Sequence, residues 1–541
     1  MLSNKSKRRF VASMLASILV VAACGSDETS SSGSSASTTG GPSSESTTGG
    51  SATATAADGE PQQGGILRVV QPSNVANLDP HIGVAGTEHY VLYTIFDRLI
   101  EFEPKTLTPE PGLATSWSYP DPMTLEMRLE EGVTFHDGTP FDAAAVKYNI
   151  ERGLNHPDSS IKSDLASIDS VEVVDDYTVR VLLNRPDSAL PLTFSDRAGM
   201  MVSPTAAEEL GDEFTRNPVG TGPFVFESAV PNENVTVRRF DNYRKEGQPY
   251  LDGVDFSIIT ESRTAANALL SGQQDFLIQT DVADLDQFES SDDIETVISP
   301  SLALNRCSLA LDRDPFSNLL VREAINYAID RDAINQVVYG GLGEPAAALL
   351  PSAHWAYPAD IPIYPYDPEN AKELLAEAGY PDGITIETFV VASERDRKMV
   401  EVMQAQTSKA GVTLDVQVLD HAEALPAFRE RGERDMYCVG WSGRPDPYQT
   451  YAALFSSDSA YANPYDEPAG LADLLAATIA TDDQDARVGA FAELSQLAIA
   501  ENHLNLNVVF RPGIQAFTSS VKGYTPNLYG KPIVNEIWLE E

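Results

Sequence analysis

Alternating strand and helix signals from residue 65 onward predict an α/β protein divided between at least two lobes. Three observations carry this. At 541 residues the chain is too long for one hydrophobic core. Its apolar content of 42% and aromatic content of 8% are those of an ordinary globular protein. A strand–helix–strand rhythm in the second half implies a parallel sheet covered by helices.

The N-terminus reads as an export signal. Lys5, Lys7, Arg8 and Arg9 form a positive segment, an apolar stretch runs from Phe10 to Val21, and a small-residue site ends at Val21-Ala22-Ala23-Cys24. The Arg8-Arg9 pair meets Phe10 at once, whereas a twin-arginine signal wants another residue between. Residues 1–23 are therefore expected to be removed. From Gly25 to Gly64 the chain has no aromatic residue and no aliphatic larger than alanine, so it cannot bury a core and reads as a tether. A coil of this length spans roughly 35 Å root-mean-square, at about 5–6 Å times the square root of residue number.

Four of the 37 basic residues precede Cys24 and none of the 80 acidic ones does, which takes the net charge from −43 to −47 beyond the cleavage site. Such a surface repels nucleic acid and anionic lipid. It fits solubility in a salty habitat, or attraction of cationic ligands if a pocket concentrates the acids.

Ile66–Val70 reads as a buried first strand. Leu125, Met127 and Leu129 alternate with polar neighbours into a half-exposed strand that ends before His136-Asp137-Gly138. Asp142 caps the next helix, with Phe141 and Val146 placed for a hydrophobic staple. Val171–Val174 and Tyr177–Val181 form a hairpin around Asp175-Asp176. A second helix begins at Asp367 with Pro368 in its first turn, carries the stripe Ala371, Leu374, Leu375 and Ala378, and stops at Gly379. A strand at 384–387, a helix near 394–410 and a strand at 412–418 follow. The strand Asp435–Val439 leads into Gly440-Trp441-Ser442-Gly443-Arg444, where a tryptophan between glycines can present a flat face to a cleft.

No enzymatic signature appears: the seven histidines contain no HExxH pair, cysteine spacing fits no metal site, and no GxSxG elbow occurs. Gly340-Gly341-Leu342-Gly343 follows a helix rather than opening one, so it is no phosphate loop. His81 and His89 stand eight apart, and isolated histidines are more often structural. No catalytic residue, metal or cofactor is expected.

Several segments in order resemble the peptide/nickel class of ABC-transporter solute-binding proteins, the oligopeptide- and dipeptide-binding family. They are Gly64-Gly65-Ile66-Leu67-Arg68, Leu78-Asp79-Pro80-His81, Phe96-Asp97-Arg98-Leu99, Pro111 to Trp117, Gly132 to Gly138, Pro218 to Phe224, Val321 to Asp330, Tyr366 to Ala371 and Gly440 to Gly443. The resemblance spans residues 64–541. It implies a two-lobed periplasmic-binding-protein-like (type II) fold with an extra subdomain and two hinge-crossing strands near 300–306 and 508–514. Lobe I would take 65–100, 213–304 and 511–541, the extra subdomain 101–212, and lobe II 305–510. The aliphatic–small–small–cysteine site resembles a bacterial lipobox, which would make Cys24 the lipidated first residue and 24–64 the anchored leash.

The function implied is an extracytoplasmic receptor, monomeric and held by its lipid on the outer face of the cytoplasmic membrane. It would capture an oligopeptide or dipeptide between its lobes and deliver it to ABC permease subunits. An oligosaccharide or an acidic, hydroxyl-rich small molecule is the alternative, with a surface hydrolase or a sensor subunit behind it. By the same resemblance the ligand-binding candidates are Val84, Ala85, Gly86 and Thr87; Gln279 and Thr280; Asn305; His354 and Trp355; and Cys438, Gly440, Trp441, Ser442, Arg444 and Asp446. Peptide-binding members carry an aspartate three positions after the tryptophan to pair with the ligand's ammonium. Here Arg444 stands there, and its fork suits a carboxylate, phosphate or sugar hydroxyls. Asp446 is the substitute nearby. Oligopeptide binders also carry an arginine where this chain has Cys438. Cys307 and Cys438 both fall in strand-like segments, and a disulfide or two buried free thiols are equally compatible with the sequence.

Overall fold

The computed structural model describes residues 59–457, 459, 461, 462 and 465–540. The export signal, Cys24 and the tether up to residue 58 lie outside the described residues.

Three sheets organise the chain. The seven-stranded sheet runs in the spatial order 294–299, 513–518, 276–277, 66–71, 253–258, 234–239 and 224–230. Ile66–Gln71 lies parallel to Gly253–Ile258 on one side and to Phe276–Leu277 on the other. Leu67 and Val69 of that strand are fully buried, as a central strand requires.

The six-stranded sheet runs 344–345, 505–510, 304–309, 436–441, 384–391 and 412–419. Ile384–Val391 and Val412–Leu419 pair in parallel around the helix Glu394–Thr407, the expected strand–helix–strand unit. The four-stranded antiparallel sheet, 114–121, 124–129, 178–183 and 168–175, packs under the helix Ala143–Asn155. Asp142 caps that helix by accepting a hydrogen bond from the Ala145 amide at 2.9 Å. Asp367 does the same for Pro368–Glu377 through the Asn370 amide at 3.0 Å.

The chain passes between the two large sheets twice. Ile294–Ser299 ends in the first sheet and Leu304–Leu309 begins in the second; Asn505–Phe510 ends in the second and Gly513–Thr518 begins in the first. The crossings are bonded side by side, with the Arg511 amide donating to the Ala303 carbonyl at 2.7 Å and the Ser301 hydroxyl to the Arg511 carbonyl at 2.7 Å. Arg511 Nε also donates to Asn305 Oδ1 at 3.0 Å. Two adjacent short crossings leave the lobes one shared axis, which is the geometry of a hinge.

The strand Met436–Trp441 runs two residues beyond the sequence expectation. Gly440 reads as a strand breaker, yet it pairs with Asn305 inside the sheet. The Arg511 guanidinium presses against it: a Cβ there would lie 1.5 Å from Nη2. Glycine is needed for that close approach, not for a turn. Cys307 and Cys438 sit directly opposite on neighbouring strands and are joined by a disulfide, their Cα atoms 4.0 Å apart.

Candidate ligand-binding site

A cavity of about 270 Å³ lies between the lobes. Elements from both chain halves close it. The two chain halves also meet directly, the Ser188 amide donating to the Ile479 carbonyl at 3.0 Å.

The second-lobe wall follows from strand alternation. In the pair 304–309 with 436–441, Arg306 stands opposite Val439 and Ser308 opposite Tyr437, so these four share a face, while Cys307 and Cys438 point the other way. Arg306, Tyr437 and Val439 line the cavity. Cys307 and Cys438 are buried in the opposite core with Met436 and Leu506. Trp441, the last strand residue, is only 6% exposed. Its Nε1 donates to Thr450 Oγ1 at 3.2 Å, and its ring meets Tyr461 edge-on at 5.3 Å. The Arg444 guanidinium lies 4.9 Å from the Trp441 ring centre, within cation–π range.

The first-lobe wall is a turn held from behind. Arg197 reaches Glu88 at 2.8 Å and the Ala85 carbonyl at 2.7 Å, and Glu88 accepts from the Ala85 amide at 3.1 Å. Gly83 leaves room for this pair: a Cβ there would sit 2.5 Å from the Glu88 carboxylate and 2.7 Å from the Arg197 guanidinium and would displace them. Beside this turn, Asp196 lies 2.6 Å from His89 Nε2 and accepts from the Tyr529 hydroxyl at 2.7 Å. Burial would raise the Asp196 pKa, but Lys531 and His89 override it and hold the carboxyl well below its ordinary value. Burial lowers Lys531 to about 7 and, with Lys531 alongside, His89 to about 3.

Four charged groups of the lining stand without an opposite charge within 4.0 Å among the described residues: Asp164, Arg306, Arg444 and Lys531, the last bonded to His89 Nε2 and the Tyr529 hydroxyl. Burial raises Asp164 to about 6, opposed by Arg444 at longer range. Arg306 bonds only to neutral oxygens, Ser308 Oγ and Asn505 Oδ1, and its Nε has no partner; burial lowers it to about 10. Arg444 donates to the Gly443 carbonyl at 2.8 Å. Uncompensated buried charges are costly, so a cavity that keeps both signs is built to receive a charged ligand.

The family description "Bacterial extracellular solute-binding proteins, family 5 Middle" matches residues 108–463. This chain belongs to that family. The glutathione-binding protein GsiB of Pectobacterium atrosepticum is 33% identical over 378 residues, covering 68% of this chain and 73% of the relative. The Helicobacter pylori ABC transporter-associated periplasmic binding protein DppA, solved with the peptide STSA, superposes with a TM-score of 0.79 at 28% identity, covering 89% of this chain and 99% of that one. AgaA of A. tumefaciens R10, solved with agropinic acid, gives 0.78 at 26% identity, covering 88% and 99%. The fold is thus the two-lobed type II binding-protein fold, and the family-5 protein described here is an extracytoplasmic solute receptor of an ABC importer.

Of the residues expected from sequence, Val84, Gly86, Gly440, Trp441, Ser442 and Arg444 line the cavity. The others lie elsewhere. Ala85 and Thr87 brace the first-lobe turn, Thr87 Oγ1 accepting from Ser73 at 2.6 Å. Gln279 packs its amide against Arg395, 3.0 Å away, and Thr280 is buried with its amide donating to the Ile514 carbonyl. Asn305 is fully buried among Tyr339, Asp396 and Arg511 at the hinge. His354 is buried, and Trp355 packs edge-on to Phe491 beneath Arg487. Cys438 is excluded by alternation and by its disulfide. Asp446 is not a free carboxylate: it is fully buried, bonded by both oxygens to Arg487 Nη2 at 2.8 and 2.9 Å, and caps the helix Pro447–Phe455. Its Pro-Asp-Pro setting is that of an N-cap followed by proline at N1.

Sequence reasoning missed Asp164, Arg306, Asp196 and Lys531. The strand Leu304–Leu309, Leu-Asn-Arg-Cys-Ser-Leu, is half polar, so nothing in its sequence marks the buried Arg306. Asp164 sits in a polar loop and is equally unmarked. His81, eight residues before His89, is bonded to Arg152 and the Met200 carbonyl and does not approach a metal-binding set. Among the described residues no three His, Cys, Asp or Glu side chains gather as metal ligands.

Proposed function

We propose that this family-5 receptor captures a short peptide with free charged ends for import. The observation that carries this reading is the inter-lobe cavity whose unmatched groups include one carboxylate, Asp164, and two guanidiniums, Arg306 and Arg444. A zwitterion satisfies both signs; an oligosaccharide satisfies neither. The volume of about 270 Å³ lies near the lower end of small-ligand pockets, which fits a dipeptide or a compact tripeptide. The relatives named for glutathione and solved with the peptide STSA support the class.

The same proposal anchors the mature chain through lipid on Cys24 at the outer face of the cytoplasmic membrane, with residues 25–64 as leash, and has it work as a monomer. Lobe I takes 65–100, 213–304 and 511–541, the extra subdomain 101–212, and lobe II 305–510. Within it, the Cys307–Cys438 bridge is a structural staple.

Thermal unfolding of the chain from Gln62 onward tests the ligand class, using dipeptides, glutathione, N-blocked peptides, oligosaccharides and nickel. A ligand at 1,000 times its dissociation constant adds about 4.1 kcal/mol of stability. Stabilisation by free-ended short peptides is expected. Stabilisation by oligosaccharides alone would overturn the reading.

A further inference from the structure

We propose that Asp164 and Gln449 together seat the ligand's ammonium group, while Arg306 and Arg444 seat carboxylates, so that the receptor selects short peptides with one free amino end and two acids. This deepens the peptide-receptor reading and rests on it.

Three observations place the ammonium. Asp164 is an acidic side chain of the lining with no Lys, Arg or His nitrogen within 4.0 Å among the described residues. Gln449 lines the same cavity, and its Oε1 is buried with no hydrogen-bond partner. The two are neighbours in the lining, close enough for the Gln449 side chain to hold the Asp164 carboxyl down. A carboxylate beside an unpartnered amide oxygen lacks donors, and an ammonium supplies three, with the charge Asp164 needs.

The cationic groups stand apart from this pair in role. Arg306 projects from the crossing strand with Nε unpartnered, and Arg444 is held over the Trp441 ring with one nitrogen on the Gly443 carbonyl. Neither meets a carboxylate within 4.0 Å among the described residues. Of the other charged groups of the lining, Arg197 takes Glu88, and Asp196, His89, Tyr529 and Lys531 form one network in which Lys531 bonds His89 Nε2 and the Tyr529 hydroxyl. The surplus is therefore positive, which favours a ligand with more carboxylates than ammonium groups.

Asp164 precedes the strand 168–175 of the small sheet, whereas Gln449 lies on the second-lobe helix 447–455. An ammonium held by both ties the two walls together, so recognition of the amino end and closure of the lobes are one event.

Calorimetric titration of the wild type, Asp164→Asn, Gln449→Leu and Arg444→Gln with glutathione, Ala-Glu, N-acetyl-Ala-Glu and Ala-Glu amide tests this. The wild type is expected to bind Ala-Glu at least about tenfold tighter than its N-acetyl form, the scale of a charge-assisted hydrogen bond. Asp164→Asn, which keeps the shape, should lose that preference, Gln449→Leu should narrow it several-fold, and Arg444→Gln should instead erode the preference over the amide. If Asp164→Asn fails to fold, narrowing by Gln449→Leu carries the test. No binding of any peptide by the wild type would sink the peptide-receptor reading itself. Peptide binding with the amino-end preference intact in Asp164→Asn, or with no preference in the wild type, would overturn this assignment alone.

Discussion

Asp164 illustrates how a single side chain links the state of the cavity to pH. Burial raises its pKa to about 6, against the pull of Arg444, while Asp196 adds to the rise and Gln449 opposes it. In the unliganded fold a raised carboxyl pKa means that protonation is favoured. Its stabilising effect is fully present below the unfolded value near 4 and is lost as pH rises through about 6. An ammonium ligand needs the ionised form, so affinity for Ala-Glu should fall about tenfold between pH 7.5 and pH 5, where roughly one molecule in eleven keeps the charge. Lys531, lowered to about 7 by burial, loses its charge on the other limb and makes the cavity less positive as pH rises. Calorimetry across pH 5 to 8 with Asp164→Asn as control separates the two. A low-pH limb of equal depth in both proteins would show that another group sets it.

At the scale of elements, the helix Pro447–Phe455 decides whether Asp446 binds or builds. Its carboxylate caps the helix through the Tyr448 amide at 2.9 Å and pairs with Arg487 of the helix Gln484–Ser495. Removing one partner of a buried pair leaves the other charge stranded, at a cost of about 3–5 kcal/mol. Asp446→Ala should therefore lower the urea midpoint strongly, with the loss appearing as instability. Unchanged stability with abolished peptide binding would return Asp446 to the ligand. The caps at Asp142 and Asp367, the first strand and the parallel unit around 384–419 were legible because each rests on local chemistry: a capping oxygen, a buried apolar run, a fixed period. Gly440 misled, because a glycine that admits a distant guanidinium looks in sequence like one that ends a strand. The motif Gly440 to Arg444 located one wall of the cavity. The other wall, Asp164 and Asp196 with Lys531, is assembled from segments more than three hundred residues apart, and no local pattern marks it.

Across the whole molecule the relation between the acidic surface and the cavity becomes a question of range. The chain carries a formal charge of −43, while the unmatched groups inside are net cationic. The long-range field thus opposes the net-anionic peptide that the cavity favours, and short-range contacts must overcome it. Screening acts on the first and little on the second, since the Debye length shrinks from about 30 Å at 0.01 M salt to about 8 Å at 0.15 M. Stopped-flow association of Ala-Glu should accordingly speed up as salt is raised over that range, with a dissociation rate that barely changes. Lys-Ala, of opposite net charge, should associate more slowly with added salt, as steering is lost. Were Ala-Glu also to slow, the field at the cavity mouth would be that of Arg306 and Arg444 rather than of the surface. The acidic exterior would then serve solubility without touching ligand capture.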